Sequence, residues 1–191
     1  MLTNDHSNHD LITSPAIMVF SIDVSTMVQP YEDIDKVFLS IKSVFPDWEP
    51  NVIPVKEKFP TNREEIIIKG ISKSLDTFIE FIRKQRILDT AFDVMTLNMH
   101  INTTEFIISR QSAIKHKISF VIDESPLGGT IKVKIEKDNL EIWLEDQTWH
   151  NGRENIPRQA RDDLAMKGNG EAVEWFDKFG NPTMASDWEE E

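Results

Sequence analysis

Apolar residues change their spacing several times along this chain, and each change marks an element. A nearly continuous apolar run over residues 16–28 predicts a first strand. Ile17, Val19 and Ser21 share one face, and Met18, Phe20, Ile22 and Val24 the other. The pattern therefore expects a central strand covered at least partly on both faces. Gln29-Pro30 ends it, and residues 31–44 read as a helix. Glu32, Asp33 and Asp35 crowd its first turn, where the helix dipole favours anions. Ile34, Val37, Phe38, Ile41 and Phe45 recur at helical spacing as a core-facing stripe, and Pro46 stops the helix. Pro46, Pro50, Pro54 and Pro60 then break the chain into extended pieces, with residues 52–58 a candidate edge strand. Residues 65–71, with Ile66, Ile67 and Ile68 in a row, predict a further strand, and Gly70 and Ser72 mark the turn after it.

A helical stripe comes next, with Ser74 as its N-cap and Leu75, Phe78, Ile79 and Ile82 in phase. Continued, that stripe predicts apolar residues near 86, 89 and 93, where the chain has Arg86, Asp89 and Asp93. The apolar set resumes in a new phase at Leu88, Ala91, Phe92, Met95 and Met99. The slip predicts a break near Gln85-Arg86-Ile87 between two consecutive helices, the second ending at residues 100–102. Residues 103–109 then read as a strand, 110–117 as a short turn or helix, and 118–122 as another strand. Pro126 and Gly128-Gly129 supply a turn. In residues 130–136, Ile131, Val133 and Ile135 alternate with Lys132 and Lys134, a half-buried strand. Residues 137–139 read as a hairpin turn leading to a last strand, with Leu140, Ile142 and Leu144 alternating around Trp143. The sum is an α+β domain in two layers, a mostly antiparallel mixed sheet with three main helices on one face.

Composition narrows what such a domain does. Of 191 residues, none is cysteine, which removes disulfides, thiolate metal sites and cysteine catalysis and fits a reducing cytoplasm. No apolar run approaches the length of a membrane span, and residues 1–10 lack the pattern of a secretory signal. Residues 1–15 read as a flexible polar leader, 16–146 as the domain, and 147–191 as an acidic, aromatic-containing tail, largely disordered or packed back. The net charge of −12 is uneven: the domain carries −5 and the tail another −5. A mildly acidic domain argues against strong nonspecific nucleic-acid binding but leaves room for a local basic patch.

The break near residue 86 presents Arg83, Lys84 and Arg86 together. Two readings stand: cations solvated at a helix C-terminus, which the dipole favours, or a ligand-facing patch. Candidate catalytic chemistry is sparse. Asp89 and Asp93, four apart on one helix, with Asp123-Glu124 later, are a weak start for a Mg²⁺ site. His6 and His9 in the leader are a weaker metal signal still. There is no phosphate loop and no Gly-x-Ser-x-Gly elbow. The reading is of no catalytic residues, no metal and no cofactor.

Three stretches, Gln85-Arg86-Ile87-Leu88-Asp89-Thr90-Ala91, Phe106 through Ser109-Arg110-Gln111-Ser112-Ala113, and Val121 through Ser125-Pro126-Leu127-Gly128, resemble a family of small archaeal proteins. That family is described as predicted RNA-binding domains and sometimes as a candidate exosome subunit. The resemblance spans roughly residues 16–145. It implies a fold like that of the large-subunit ribosomal protein that contacts 5S rRNA, frequent dimerisation, and no established catalysis. The chain departs from the family pattern in carrying Ser109-Arg110-Gln111-Ser112-Ala113 for Asn-Lys-Gln-Ala-Ala, and His116 where the family tends to have Gly.

The functional expectation is a non-catalytic RNA-binding protein, contacting RNA through Arg83, Lys84, Arg86, Arg110, Gln111, Lys115 and Lys117. The alternative is a dimeric protein-interaction module. In the tail, residues 156–167 read as a short helix, and Ala172, Trp175, Phe176 and Phe179 fall at helical spacing. Trp175, Phe176, Phe179 and Trp188, set among carboxylates, suggest a docking peptide for a protein partner, or aromatic groups that pack back on the domain's own sheet.

Overall fold

A computed structural model describes residues 20–55, 63–122, 126–154 and 160. The leader with His6 and His9, residues 16–19 of the first strand, residues 56–58 of the edge strand, and Asp123, Glu124 and Ser125 lie outside the described residues. So do both tail helices and Trp175, Phe176, Phe179 and Trp188.

The first strand, β1 (Phe20–Val28), puts Ile22, Val24, Thr26 and Val28 on one buried row. It pairs on one side with β3 (Ile66–Ser72) and on the other with β5 (Thr130–Lys137). With β2 (Glu49–Pro50) and β4 (Thr103–Ser109) the sheet runs β2-β3-β1-β5-β4, and every pairing is antiparallel. The inward rows continue through Ile68, through Phe106 and Ile108, and through Ile131, Val133 and Ile135.

Five helices accompany the sheet among the described residues: α1 (Ile34–Lys42), α2 (Asp76–Gln85), α3 (Leu88–Leu97), the short α4 (Arg110–Ile114) and α5 (Leu140–Thr148). The expected stripes are those that bury: Ile34, Val37 and Ile41 from α1, Phe78, Ile79 and Ile82 from α2, and Leu88, Ala91, Phe92 and Met95 from α3. Phe78 is the hub, its ring 5.5 to 6.2 Å from those of Phe45, Phe106 and Phe120. The two-layer α+β class read from the pattern is the architecture observed.

Several local expectations are corrected. β1 is central, and among the described residues helices cover it on one face only. Its outward row, with Asp23 and Met27 exposed, belongs to an open face where Ile71, Asp23, Lys134 and Glu105 lie side by side across four strands, next to Lys69, Ser25, Lys132 and Ile107. From residue 20 the apolar run thins to alternation, with Ser21, Asp23 and Ser25 between Phe20, Ile22, Val24 and Thr26. The edge strand shrinks to Glu49–Pro50, and residues 52–55 form no strand. Gly70 lies inside β3 rather than in a turn. A side chain there would sit 2.5 Å from the indole nitrogen of buried Trp48, which donates to the Val24 carbonyl at 3.2 Å. The Ser74 hydroxyl accepts from Asp76 N at 3.2 Å, one position ahead of the assigned cap at Leu75.

The predicted last strand is the helix α5. Leu140 and Leu144 satisfy strand alternation and helical i, i+4 spacing equally, and a three-residue apolar set cannot separate the two periods. Thr148, buried at the next helical step, and Ile142, 62% exposed, decide for helix. Residues 118–122 are not a ladder strand. They run beside β4 with two backbone bonds, Ser109 N to Ser119 O and Val121 N to Ile107 O, both 2.9 Å.

Asp47 fastens the end of β3 to the loop after α1. It accepts from the Ser72 hydroxyl at 2.5 Å and from Lys73 N at 2.7 Å. Burial alone would raise its pKa, but donation from Ser72 and from backbone N–H groups outweighs burial and holds the carboxyl below its usual value.

Candidate nucleic-acid interface

The phase slip at residues 85–87 is a helix stop built by the backbone. Arg86 stands in the left-handed region at φ 61, with Arg86 N donating to Arg83 O and Ile87 N to Ile82 O, each at 3.1 Å. This is a Schellman closure, in which a left-handed residue, usually glycine, lets the chain return bonds to the last carbonyls. The short α4 closes the same way: His116 is at φ 55, with His116 N on Ala113 O at 2.9 Å and Lys117 N on Ser112 O at 3.0 Å. The position where the resembled family tends to have glycine is thus a helix cap. Here a histidine accepts the left-handed strain, and its ring meets Phe81 edge-on at 5.6 Å.

Gln85 joins the two helix ends. Its amide nitrogen donates to Ile118 O at 3.0 Å, and its amide oxygen accepts from Ile118 N at 2.6 Å. The side chain thereby takes the place of a strand partner for a residue that is 3% exposed. The cations around this clamp reach solvent: Arg83, Lys84 and Arg86 from α2, and Lys115 and Lys117 with His116 from the turn after α4. Lys84 also pairs with Glu80 at 2.5 Å, an exposed i, i+4 contact worth little. Arg83 reaches the Gln147 carbonyl at 3.4 Å. Two stretches about thirty residues apart in sequence therefore contribute to one surface.

Arg110 is not on that surface. It is 3% exposed, its Nε donates to Gly128 O at 2.8 Å, and its Nη2 pairs with Glu32 at 2.5 Å. Gly128 and Gly129 stand at φ 88 and 77, and a Cβ on Gly129 would collide with Arg110 Nη2. The Pro-Leu-Gly-Gly turn is shaped around this guanidinium, which ties the start of β5 to the segment before α1. Gln111 is exposed, but beside Gly128 and Lys36 in a cleft of about 220 Å³ between α1 and α4. The expected phosphate contact at Arg110 is thus a buried structural tie, because Glu32 neutralises it inside the fold.

The Asp89 carboxylate, weighed as a weak start for a Mg²⁺ site, has a partner on each oxygen. Oδ2 meets His150 Nε2 at 2.9 Å, and Oδ1 accepts from Arg153 Nε at 3.1 Å and Nη2 at 2.9 Å. His150 Nδ1 accepts from Gly152 N at 3.2 Å, so Nε2 carries the proton given to Asp89. Arg153, 3% exposed, also donates to the Thr148 hydroxyl and lies over Phe92 at 4.9 Å. Residues 147–154, read with the tail, therefore pack back on α3 through a 3-10 turn (Asn151–Glu154). Nothing in the local pattern signals this latch, because an arginine in a polar stretch reads as solvated. Among the described residues, no three His, Asp or Glu side chains are grouped so as to hold a metal ion, and no helix is long and apolar enough to cross a membrane.

Arg110→Ala is expected to cost about 3–5 kcal/mol in urea unfolding, the penalty of leaving one member of a buried ion pair unmatched. A loss below about 1 kcal/mol would show the tie to be dispensable. Arg86→Gly should instead raise stability by about 0.5–1 kcal/mol, because glycine adopts the left-handed cap without strain. A decrease would contradict the cap assignment.

No family model matches the chain. A UPF0201 protein of Sulfurisphaera tokodaii is 37% identical over 133 residues, covering 66% of this chain and 88% of the relative. A UPF0200/UPF0201 protein of Archaeoglobus fulgidus is 33% identical over 119 residues, 62% of this chain, which spans only 33% of that longer relative. Among solved structures, a UPF0201 protein from Methanococcus jannaschii superposes with a TM-score of 0.57 at 30% identity, covering 68% of this chain and 99% of that one. A second UPF0201 structure gives 0.54 at 31% identity, with 65% and 90% covered. On this likeness in sequence over nearly the whole length of a relative, the chain belongs to the archaeal UPF0201 family.

Proposed function

We propose that this protein is a non-catalytic RNA-binding protein of RNA metabolism or translation, acting in the cytoplasm and holding phosphates with Arg83, Lys84, Arg86, Lys115 and Lys117. The reading keeps the RNA-binding and ribosomal-protein-like character that the sequence resemblance implies, and moves the contact set to the residues that reach solvent. The observation that carries it is the Gln85–Ile118 clamp, which joins two cation-bearing helix ends into one surface. Helix C-termini draw cations for their own stability, but α4 is only five residues long and has no basic residue in its last turn. Five cations and an exposed imidazole exceed that need, and two of these side chains, Arg86 and His116, occupy strained positions where glycine is cheaper.

Binding of poly(U) is expected to weaken with salt along a log–log slope of about −3, as for four or five phosphate contacts on a single strand. The triple variant Arg83→Glu, Arg86→Glu, Lys117→Glu should lose at least about tenfold in affinity at 50 mM salt. An affinity unchanged in that variant would remove the proposal.

A second reading, a dimeric interaction module, draws on the open sheet face. Met27, Ile67 and Ile71 are exposed there beside the oppositely charged pair Lys132–Glu105 at 2.7 Å, a mixture able to match itself across a two-fold axis. Sedimentation at micromolar concentration tests it. A dimer that Ile67→Asp with Ile71→Asp converts to monomer supports the reading, and a monomeric parent protein ends it.

A further inference from the structure

The cation surface lies beside the end of α5 and the 3-10 turn that follows it. Arg83 touches the carbonyl of Gln147 at the end of α5. Six residues on, Arg153 is bound to Asp89, only three positions past Arg86. The 3-10 turn that ends at Glu154 is therefore anchored against the first turn of α3, next to the break that displays Arg83, Lys84 and Arg86. The sequence beyond Glu154 is opposite in charge to that surface. Residues 155–191 carry nine carboxylates against four cations. Glu171, Glu174 and Asp177 interleave there with Trp175, Phe176 and Phe179.

We infer that residues 171–179 dock on the cation surface of the same chain, with the carboxylates meeting Arg83, Arg86, Lys115 and Lys117 and an aromatic side chain against the Phe81–His116 ring pair. Reach is no obstacle. Ala160 packs against the core, and the ten residues between it and Glu171 span up to roughly 33–36 Å when extended, about the diameter of a small domain. Tethering presents the segment at an effective concentration on the order of 1 mM, enough for a weak, charge-driven contact to be populated. The first turn of α1 is acidic too, but Glu32 is committed to Arg110 and Asp33 caps its own helix; residues 187–191 also mix carboxylates with an aromatic, but offer Trp188 alone where 171–179 offer three aromatic side chains.

The consequence for function rests on the RNA-binding reading. Segment and RNA would use the same cations, so the segment acts as a built-in competitor. It sets a threshold that weakly bound polyanions do not pass and that longer or better-matched RNA does. An acidic net charge and a nucleic-acid surface then coexist without contradiction.

The test uses the full chain. Zero-length carbodiimide crosslinking of the RNA-free protein, with the monomer band mapped by mass spectrometry, should join Glu174 or Asp177 to Lys115 or Lys117. The crosslinks should fade as poly(U) is added. The variant Glu171→Gln, Glu174→Gln, Asp177→Asn should lose them and bind poly(U) about three- to tenfold more tightly at 50 mM salt, the range that millimolar tethering of a weak ligand allows. Trp175→Ala should give part of the same gain. Absence of those crosslinks from the monomer, with poly(U) affinity equal in all variants, overturns the inference and leaves RNA binding standing. Crosslinks present in a protein that binds poly(U) in no variant support the docking and remove the RNA reading instead.

Discussion

The inward row of β1, Ile22, Val24 and Val28, has hydrogen-bonded strands on both sides and helices over one face. Because side chains alternate at period two, a slip of one residue in either pairing would put Asp23, Ser25 and Met27 into the core. Register is therefore fixed by what cannot be buried as much as by what can. Each helix stripe closes over that row, and Phe78 fills the space between Phe45, Phe106 and Phe120. Burying a side chain of this size contributes about 1.5–3 kcal/mol. The other face of the sheet has no helix over it among the described residues and carries a mixture of lysine, carboxylate and isoleucine.

Where the ladder ends, polar side chains complete it. Gln85 supplies both partners of Ile118, Arg110 satisfies Gly128 O while neutralising Glu32, and Arg153 closes the turn after α5 on Asp89. Each is a group whose removal would leave a buried donor, acceptor or charge unmatched, the asymmetry that makes such contacts costly to break. These ties also arrange the surface. The Gln85 clamp places α2 beside the turn after α4, and the Arg153 latch holds the turn after α5 against the start of α3. The residues that shape this surface are thus buried or half-buried, and those that face solvent are the cations they position.

The archaeal resemblance rests on stretches that include Arg86, Arg110 and Pro126-Leu127-Gly128, and the structure divides them by role. Arg86 is an exposed cap. Arg110 is buried under the turn: Gly129 is needed because the guanidinium occupies the space a Cβ would take, and a Cβ on Gly128 would meet the Gln111 side chain. His116 has a similar explanation: the position calls for a left-handed residue, and histidine meets that demand at a cost in strain.

The hydrophobic period determined the two-layer α+β class, the bounds of β4, the stripes of α1 to α3 and the break at residue 86, because those segments are long enough for one period to exclude the other. The short set Leu140, Ile142, Leu144 fits both periods, and the burial of Thr148 with the exposure of Ile142 shows which one is used. Tertiary structure alone decided which cations face water. Arg110 lies 78 residues from Glu32 and Arg153 lies 64 from Asp89, and no local pattern carries the information that a charge has a partner so far along the chain.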